Sequence, residues 1–134
     1  GGRYCNLVNK AFFFCHVYVR YWAVLSGLLL VHQFVSIGPH TLIGPAAFLP
    51  QDVPAYVTAF GSPAAPKTVN TVGLKRRGFN KDAILAIKQA YKILYRQGLS
   101  LDDALTKLNE LAIQQPEVQL MLDSVKASSR GIIR

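Results

Sequence analysis

Three consecutive cations, Lys75, Arg76 and Arg77, lie in the segment GLKRRGF at residues 73–79. The guanidinium of an arginine is a planar fork of N–H donors that matches the oxygens of a phosphate or diphosphate. Glycines on both sides of the cations allow a ligand to approach the backbone closely. These residues are therefore candidates for binding a phosphorylated small molecule or a nucleic-acid backbone, or for no more than a solvated charge run.

A nucleic-acid site requires more than this segment offers. Such sites combine basic residues with interleaved aromatic residues or with a recognition helix. The cations here do not continue in a row along one face of the helix predicted to follow. The chain also contains neither a P-loop nor a dinucleotide-binding glycine motif. We therefore expect no nucleic-acid partner, and the choice between a phosphate site and a solvated charge run stays open.

The composition limits the class of protein. The chain has 134 residues, of which 51% are hydrophobic and 16% are charged, which is typical of a folded domain and excludes a disordered chain. A net charge of +8 favours anionic partners such as phosphates, nucleic acids, acidic proteins or membrane surfaces. The two cysteines, Cys5 and Cys15, form no C-x-x-C pattern. We therefore expect no disulfide framework, metal site or cofactor, and a reduced, cytoplasmic location.

One uncharged segment, between Arg20 and Asp52, is long enough to suggest a transmembrane span. Polar residues interrupt its apolar part and prolines follow them, so we expect no membrane span. A small basic membrane protein stays as an alternative, which partition of the chain into detergent would test. The chain begins with Gly-Gly instead of Met, so we interpret Gly1 as a truncation point or an appended residue.

A period of six organises the first half of the chain. Every sixth residue from Leu7 is apolar, namely Leu7, Phe13, Val19, Leu25, Val31, Ile37, Ile43 and Leu49. The position two before each is small or β-branched except at Leu29, namely Cys5, Ala11, Val17, Ala23, Leu29, Val35, Thr41 and Ala47. Neither a helix nor a flat strand needs this period, whereas a parallel β-helix of hexapeptides does. We therefore expect residues 1–50 to form such a β-helix, with the large aliphatics pointing into a narrow prism.

The same period places the histidines and the turns. His32 follows an inward-facing residue, and His16 and His40 each lie three residues after one, so all three should point outward. A surface position without a role is the ordinary expectation for such histidines. Hexapeptide turns usually carry glycine directly after the aliphatic, and only Gly38 and Gly44 do so here. The earlier turns are therefore expected to be looser or strained.

After Pro50 the pattern changes to helices. Residues 51–73 contain three prolines and are predicted to be an extended loop. Asn80 and Ser100 are good N-caps for two helices, and Pro116 suits the first turn of a third. Each helix carries apolar residues at helical spacing. We therefore expect a three-helix C-terminal domain over residues 74–134.

The whole arrangement resembles one family, the acyl-carrier-protein-dependent UDP-N-acetylglucosamine O-acyltransferases of lipid A biosynthesis. The resemblance covers essentially the whole chain and is most specific over VHQFVSIGPHTLIG, QDVPAYV and residues 70–99. It implies a left-handed β-helix, a homotrimer in the cytoplasm, and transfer of a 3-hydroxyacyl group from acyl carrier protein to the 3-hydroxyl of UDP-N-acetylglucosamine. Family members are about twice this length, so the chain resembles their C-terminal half.

The resemblance also implies roles for particular residues. The positions that match the family's substrate-binding residues are His16, His32, Gln33, Asn70, Arg76 and Arg77. The family's active clefts lie on the outside of the prism between subunits, which gives His16 and His32 a role despite their outward positions. With this match, we interpret Arg76 and Arg77 as a grip on the diphosphate. His40 matches no site position and is expected to be a plain surface residue.

Several positions depart from the family's pattern. The general-base histidine of the family belongs to an HxxHD segment that would precede Gly1, so no residue of this chain is expected to be the catalytic base. Cys15 stands where the family has a glycine whose backbone N–H helps to hold the oxyanion. Pro45 occupies a position that limits the length of the acyl chain, and Val72 replaces an acidic residue near the nucleotide. We therefore expect this chain alone to be inactive, and the alternative is a non-catalytic trimeric binding or scaffold module.

A second set of cations lies in the region of the predicted helices. Its members, most of them predicted to lie on exposed helix faces, are Lys81, Lys88, Lys92, Arg96 and Lys107. Such residues either maintain solubility or dock the strongly acidic acyl carrier protein that the resemblance implies as a partner. Both interpretations stay open.

Overall fold

The computed structural model describes residues 4–7, 17–27 and 29–134, with residues 4–7 described as backbone only. The strands are short and precede the helices. They are β1 (Tyr4–Leu7), β2 (Tyr18–Val19), β3 (Val24–Leu25), β4 (Leu29–His32), β5 (Ser36–Ile37), β6 (Leu42–Ile43), β7 (Phe48–Leu49), β8 (Val57–Gly61) and β9 (Ala64–Val69). The helices are α1 (Thr71–Arg76), α2 (Lys81–Tyr95), α3 (Leu101–Gln114) and α4 (Gln119–Lys126), the last preceded by a 3₁₀ turn at Pro116–Val118.

The hexads pair in the way that a coil of hexapeptides requires. Strands β2, β3 and β4 each pair in parallel with the strand three hexads further along the chain, which is β5, β6 and β7 respectively. Successive hexads therefore fall in turn on three different sheets. Each strand from β2 to β7 therefore finds its parallel partner in an adjacent coil and not in its sequence neighbour.

The period-six prediction of inward-facing residues is confirmed over residues 29–49. The large aliphatics of that row, Val31, Ile37, Ile43 and Leu49, are fully buried. The smaller row two positions earlier, Leu29, Val35, Thr41 and Ala47, is at most 1% exposed. Val19 and Leu25 are partly buried and pack against the same cluster. The side chains of the earliest members of both rows lie outside the described residues.

The prediction of parallel strands throughout residues 1–50 is wrong at β1. This strand pairs antiparallel with β4, with Tyr4 opposite His32 and Leu7 opposite Leu29. A period of six specifies which side chains point inward, but it does not specify the direction of a neighbouring strand. Both parallel and antiparallel ladders satisfy the N–H and C=O groups at the edge of β4.

The turns adopt a left-handed backbone conformation, but not at the residue directly after the inward aliphatic, where glycine was predicted to be needed. A left-handed φ falls three residues after the inward aliphatic, at Trp22 (59°), Phe34 (69°), His40 (59°) and Ala46 (55°). Strain of this kind costs about 1–2 kcal/mol for a residue with a Cβ, and it is not confined to the early turns. Gly38 is needed for space and not for its φ, since a Cβ there would lie 2.6 Å from the backbone nitrogen of Ala55.

The prediction of an extended loop over residues 51–73 is wrong. Strands β8 and β9 form an antiparallel hairpin, and β8 also pairs in parallel with β6. The prolines misled the sequence-based prediction because their positions are compatible with strands. Pro63 lies in the turn of the hairpin, and Pro66 lies in β9, which is the outer strand of its sheet and tolerates a missing N–H.

The three predicted helices are confirmed as α2, α3 and α4, whereas α1 was not predicted. The Asn80 side chain caps α2 by accepting from the backbone N–H of Ala83 at 2.8 Å, and the Ser100 hydroxyl caps α3 in the same way. One hydrophobic cluster continues from the hexad core into the inner faces of α2, α3 and α4. The division of the chain into domains at residues 50 and 73 stays a prediction.

No helix among the described residues combines the length and the apolar character that crossing a bilayer would require.

Candidate functional site

Asn70 connects the N-terminus of α1 to the coil. Its side-chain oxygen accepts a hydrogen bond from the backbone N–H of Gly73 at 3.3 Å, and its Nδ2 donates to the backbone oxygen of His40 at 3.1 Å. The residue is only 6% exposed. The amide therefore caps α1 and ties it to the corner between β5 and β6, so Asn70 positions the segment that carries the arginines.

Arg77 ends α1 and folds back onto the coil. Its Nη1 lies 3.1 Å from Nδ1 of His40, and its Nη2 donates to the backbone oxygen of Trp22 at 3.1 Å. Its Cζ lies 5.3 Å from the centroid of the Trp22 ring, within the range of a cation–π contact. Because the guanidinium has only donors, Nδ1 of His40 must be the acceptor in this contact.

His40 is buried, so the expectation that it is a plain surface residue is wrong. It is 6% exposed, and its ring stacks on Tyr56 and meets Phe79 and Tyr21 edge to face. The reason is that the connection between α1 and α2, which carries Phe79, returns over this corner of the coil. Burial lowers the pKa of His40 below its ordinary value of 6.5, and the neighbouring Arg77 guanidinium lowers it further.

The three cations of the opening motif are not equivalent. Arg77 is half-buried and engaged with the coil, whereas Lys75 and Arg76 are exposed on α1. Val72, on the same helix, is 61% exposed. The segment therefore presents one fixed guanidinium and two solvent-facing cations on the outer surface of the molecule.

A second cluster surrounds His32. Its Nδ1 lies 2.9 Å from the backbone oxygen of Gln33, and its Nε2 lies 3.0 Å from Nη2 of Arg130. These residues and Phe34 line a groove of about 270 Å³. Because arginine can only donate, Nε2 of His32 is the acceptor and Nδ1 carries the proton that the Gln33 oxygen accepts. Arg130 was not predicted as a site residue, because nothing in SSRGIIR indicates that it returns to the coil.

The structure brings four of the predicted binding residues together in two groups with no residue in common. His32 and Gln33 belong to the groove with Arg130, while Asn70 and Arg77 belong to the cluster with His40 and Trp22. His16 and Cys15 lie outside the described residues. Pro45 is exposed at a corner of the coil, and a Cβ on Gly27 would lie 3.3 Å from its side chain.

The second set of cations is exposed as predicted, at Lys81, Lys88, Lys92, Arg96 and Lys107. Arg96 lies over the ring of Tyr91, with its Cζ 5.8 Å from the centroid. Their docking role stays a prediction. Within residues 4–7, 17–27 and 29–134, no three His, Cys, Asp or Glu residues come together in a way that could hold a metal ion.

Parallel strands paired three hexads apart, followed by helices that share their core, define the class of this chain as a hexapeptide-repeat protein with a helical C-terminal part. The sequence model of the family described as UDP N-acetylglucosamine O-acyltransferase, domain 2, matches residues 52–133. Because this match covers more than half of the chain, the chain belongs to the UDP-N-acetylglucosamine O-acyltransferase family.

Similar proteins agree with this assignment. The acyl-[acyl-carrier-protein]--UDP-N-acetylglucosamine O-acyltransferases of Ectopseudomonas mendocina and Pseudomonas fluorescens are 51% and 50% identical over 133 residues, which is 99% of this chain and 52% of each relative. The crystal structure of Francisella novicida UDP-N-acetylglucosamine acyltransferase is 38% identical, with a TM-score of 0.86 over 89% of this chain and 44% of that one. The chain thus spans about half the length of the curated relatives it matches.

Proposed function

We propose that this chain is the C-terminal half of an acyltransferase that moves a 3-hydroxyacyl group from acyl carrier protein to the 3-hydroxyl of UDP-N-acetylglucosamine. The observation that carries the proposal is the Arg77 cluster, which fixes a guanidinium on the outer surface of the coil. Acyl carrier protein and UDP-N-acetylglucosamine stand in the names of relatives that are about half identical to this chain, whereas the 3-hydroxyacyl group and the 3-hydroxyl acceptor follow from the family resemblance of the sequence. The part assigned to this chain is binding of the nucleotide sugar and of the carrier protein.

The diphosphate of the sugar nucleotide is the group that Arg77 and Arg76 would hold. Two N–H groups of Arg77 are committed to His40 and Trp22, and the remaining donors of its fork can meet phosphate oxygens. Arg76 precedes Arg77 on the exposed side of α1. It adds a second guanidinium, whose side chain is more exposed than that of Arg77. In this role α1 positions the two arginines, and the Asn70 cap holds α1 against the coil.

The His32 groove would hold another part of the same substrate, in a cleft between subunits. One copy would contribute His32 and Gln33 and its neighbour would contribute Asn70 and Arg77, which accounts for two separate clusters on one chain. We propose with it that the coil is a closed, left-handed β-helix and that the molecule is a cytoplasmic trimer. The parallel pairing across three sheets supports the coil, and the exposed aromatic side chains on its outer faces, Tyr18, Tyr21, Trp22 and Phe34, offer apolar surface for association.

Affinity for UDP-N-acetylglucosamine is expected to depend on both arginines and not on Lys75. Arg76→Ala and Arg77→Ala should each weaken binding about 10- to 150-fold, since a hydrogen bond to a charged group contributes about 1.5–3 kcal/mol. Lys75→Ala, an exposed neighbour on the same helix, is the matched control and should change the affinity by about two-fold or less. Calorimetric titration of the sugar nucleotide measures the three variants, and binding of the wild type should weaken with salt.

Two results would contradict this proposal. An equal loss in Lys75→Ala would mean that the segment is a diffuse charge patch without a specific fork. Absence of binding by the wild type chain would remove nucleotide binding from this half of the enzyme and would favour the scaffold alternative. Circular dichroism of each variant checks that α1 and its neighbours stay folded.

The chain is also expected to be trimeric in solution. A trimer would bury the exposed aromatic side chains of the coil, and it would join the two clusters of neighbouring copies. Multi-angle light scattering over a range of protein concentrations measures the mass directly. A monomer at every concentration would contradict the proposed cleft between subunits.

A further inference from the structure

We propose that His40 is a positioning residue, whose neutral imidazole holds the Arg77 guanidinium in the orientation that binds a diphosphate. The inference rests on the proposed function and adds to it a residue that does not touch the substrate. His40 differs from the predicted contacts because it lies behind Arg77, buried in the corner of the coil. Its imidazole acts through Arg77, and its backbone oxygen accepts from Asn70.

His40 forms hydrogen bonds with both Asn70 and Arg77, the residues at the two ends of α1 that are predicted to bind the nucleotide. Its Nδ1 accepts from Arg77 at 3.1 Å, and its backbone oxygen accepts from Asn70 at 3.1 Å. One residue therefore fixes the start of α1 and the side chain at its end. Two of the N–H donors of the guanidinium meet His40 and Trp22, and Arg77 is only partly buried, so the remaining donors are the ones that a ligand could reach.

The surroundings of His40 keep its ring in one place. Tyr56 stacks on one face at a centroid distance of 5.6 Å and an interplanar angle of 14°. Phe79 and Tyr21 meet it edge to face at 5.1 Å and 5.6 Å. A ring confined on these sides cannot turn away from Arg77 without disturbing the core, so the acceptor stays where the guanidinium needs it.

The orienting contact requires the neutral imidazole. The charged or titratable groups against the ring are Arg77 from the end of α1, Tyr21 from the turn before β3, and Tyr56 from the segment before β8. Burial raises the pKa of Tyr56, so Tyr56 is uncharged at ordinary pH, and Arg77 is the cation that opposes protonation of His40. Below the pKa of His40, which is lowered from 6.5, Nδ1 becomes a donor and the imidazolium repels the guanidinium.

The backbone conformation at His40 allows two variants to be compared, His40→Asn and His40→Ala. His40 has a φ of 59°, a region that asparagine tolerates well, and Ala46 adopts nearly the same φ in the next hexad. His40→Asn retains an acceptor close to the position of Nδ1 but does not titrate. His40→Ala removes the acceptor, and both variants lose the ring, so their difference reports the contact with Arg77.

The test is titration of UDP-N-acetylglucosamine, whose diphosphate diester does not titrate near neutral pH, into the wild type and both variants. At about pH 7.5, where His40 is neutral, His40→Ala should weaken binding about 2- to 10-fold relative to His40→Asn. As the pH is lowered below 6.5, the wild-type affinity should fall relative to that of His40→Asn, since the other titratable groups of the site are common to both proteins. Equal affinities of the two variants, or the same pH profile for the wild type and His40→Asn, would overturn the inference.

A second measurement does not depend on binding of the substrate. NMR of the imidazole nitrogens gives the pKa of His40 in the wild type and in Arg77→Gln, which removes the neighbouring cation. The pKa should rise in Arg77→Gln because the guanidinium lowers it in the wild type. An unchanged pKa would overturn this inference alone, whereas failure of the wild type to bind the sugar nucleotide would overturn the proposed function.

Discussion

Acylation of UDP-N-acetylglucosamine by this chain alone is expected to be about 10²- to 10⁴-fold slower than acylation by full-length relatives. A hydroxyl nucleophile needs a general base within hydrogen-bond reach, and such a base contributes rate factors of this size. The two described histidines are poor substitutes, because the acceptor nitrogen of each is already occupied. Nε2 of His32 accepts from Arg130, and Nδ1 of His40 accepts from Arg77.

The measurement is an assay with 3-hydroxyacyl acyl carrier protein as donor and mass spectrometry of the sugar nucleotide as readout. The full-length enzyme of Ectopseudomonas mendocina, 51% identical over this region, is the positive control under the same conditions. Turnover by this chain close to that of the control would show that a base among these 134 residues suffices. In that case Arg130→Ala, which removes the donor that Nε2 of His32 accepts from, would test whether His32 is that base.

The inward-facing residues and the helices could be predicted from the sequence because each depends on local spacing. The period of six selects Ile37, Ile43 and Leu49 without knowledge of what lies beside them, and all three are fully buried. Likewise Asn80 and Ser100 cap helices through bonds to residues three positions away. Short-range rules of this kind hold in any fold that contains the element.

The site residues that the sequence did not predict depend on contacts between distant residues. Arg77 reaches His40 across 37 residues and Trp22 across 55, and Arg130 reaches His32 across 98. No spacing rule relates such positions, so the sequence alone places His40 at the surface and gives no sign of the contact of Arg130. Residues 51–73 also depend on contacts between distant parts of the chain. Pro66 is tolerated in β9 because β9 is the outer strand of its sheet, and the order of strands in a sheet cannot be predicted from local sequence.

Ile43→Ala is expected to lower the free energy of unfolding by about 2–5 kcal/mol, the usual loss when a buried isoleucine is cut to alanine. Ile43 is fully buried in β6, between Leu25 of the preceding coil and Ala59 of β8. The space left by its side chain lies between coils that are fixed by their backbone pairing, so the core cannot close around it. Since folded domains are stable by about 5–15 kcal/mol, this single change removes a large share of the total.

Val24→Ala is the matched control, because Val24 is another β-branched aliphatic in a paired strand of the same sheet. It precedes the inward Leu25 and is 43% exposed, so its truncation should cost less than about 1 kcal/mol. Urea unfolding followed by circular dichroism gives both values, and repeating it at several protein concentrations separates the stability of the coil from any contribution of association. Equal losses in the two variants would mean that the period of six does not mark the inward face of the coil. A large loss in Ile43→Ala alone, with the same size at every protein concentration, would mean that the coil is stabilised mainly by contacts within each chain. Association would then serve chiefly to bring the His32 groove of one copy to the Arg77 cluster of the next.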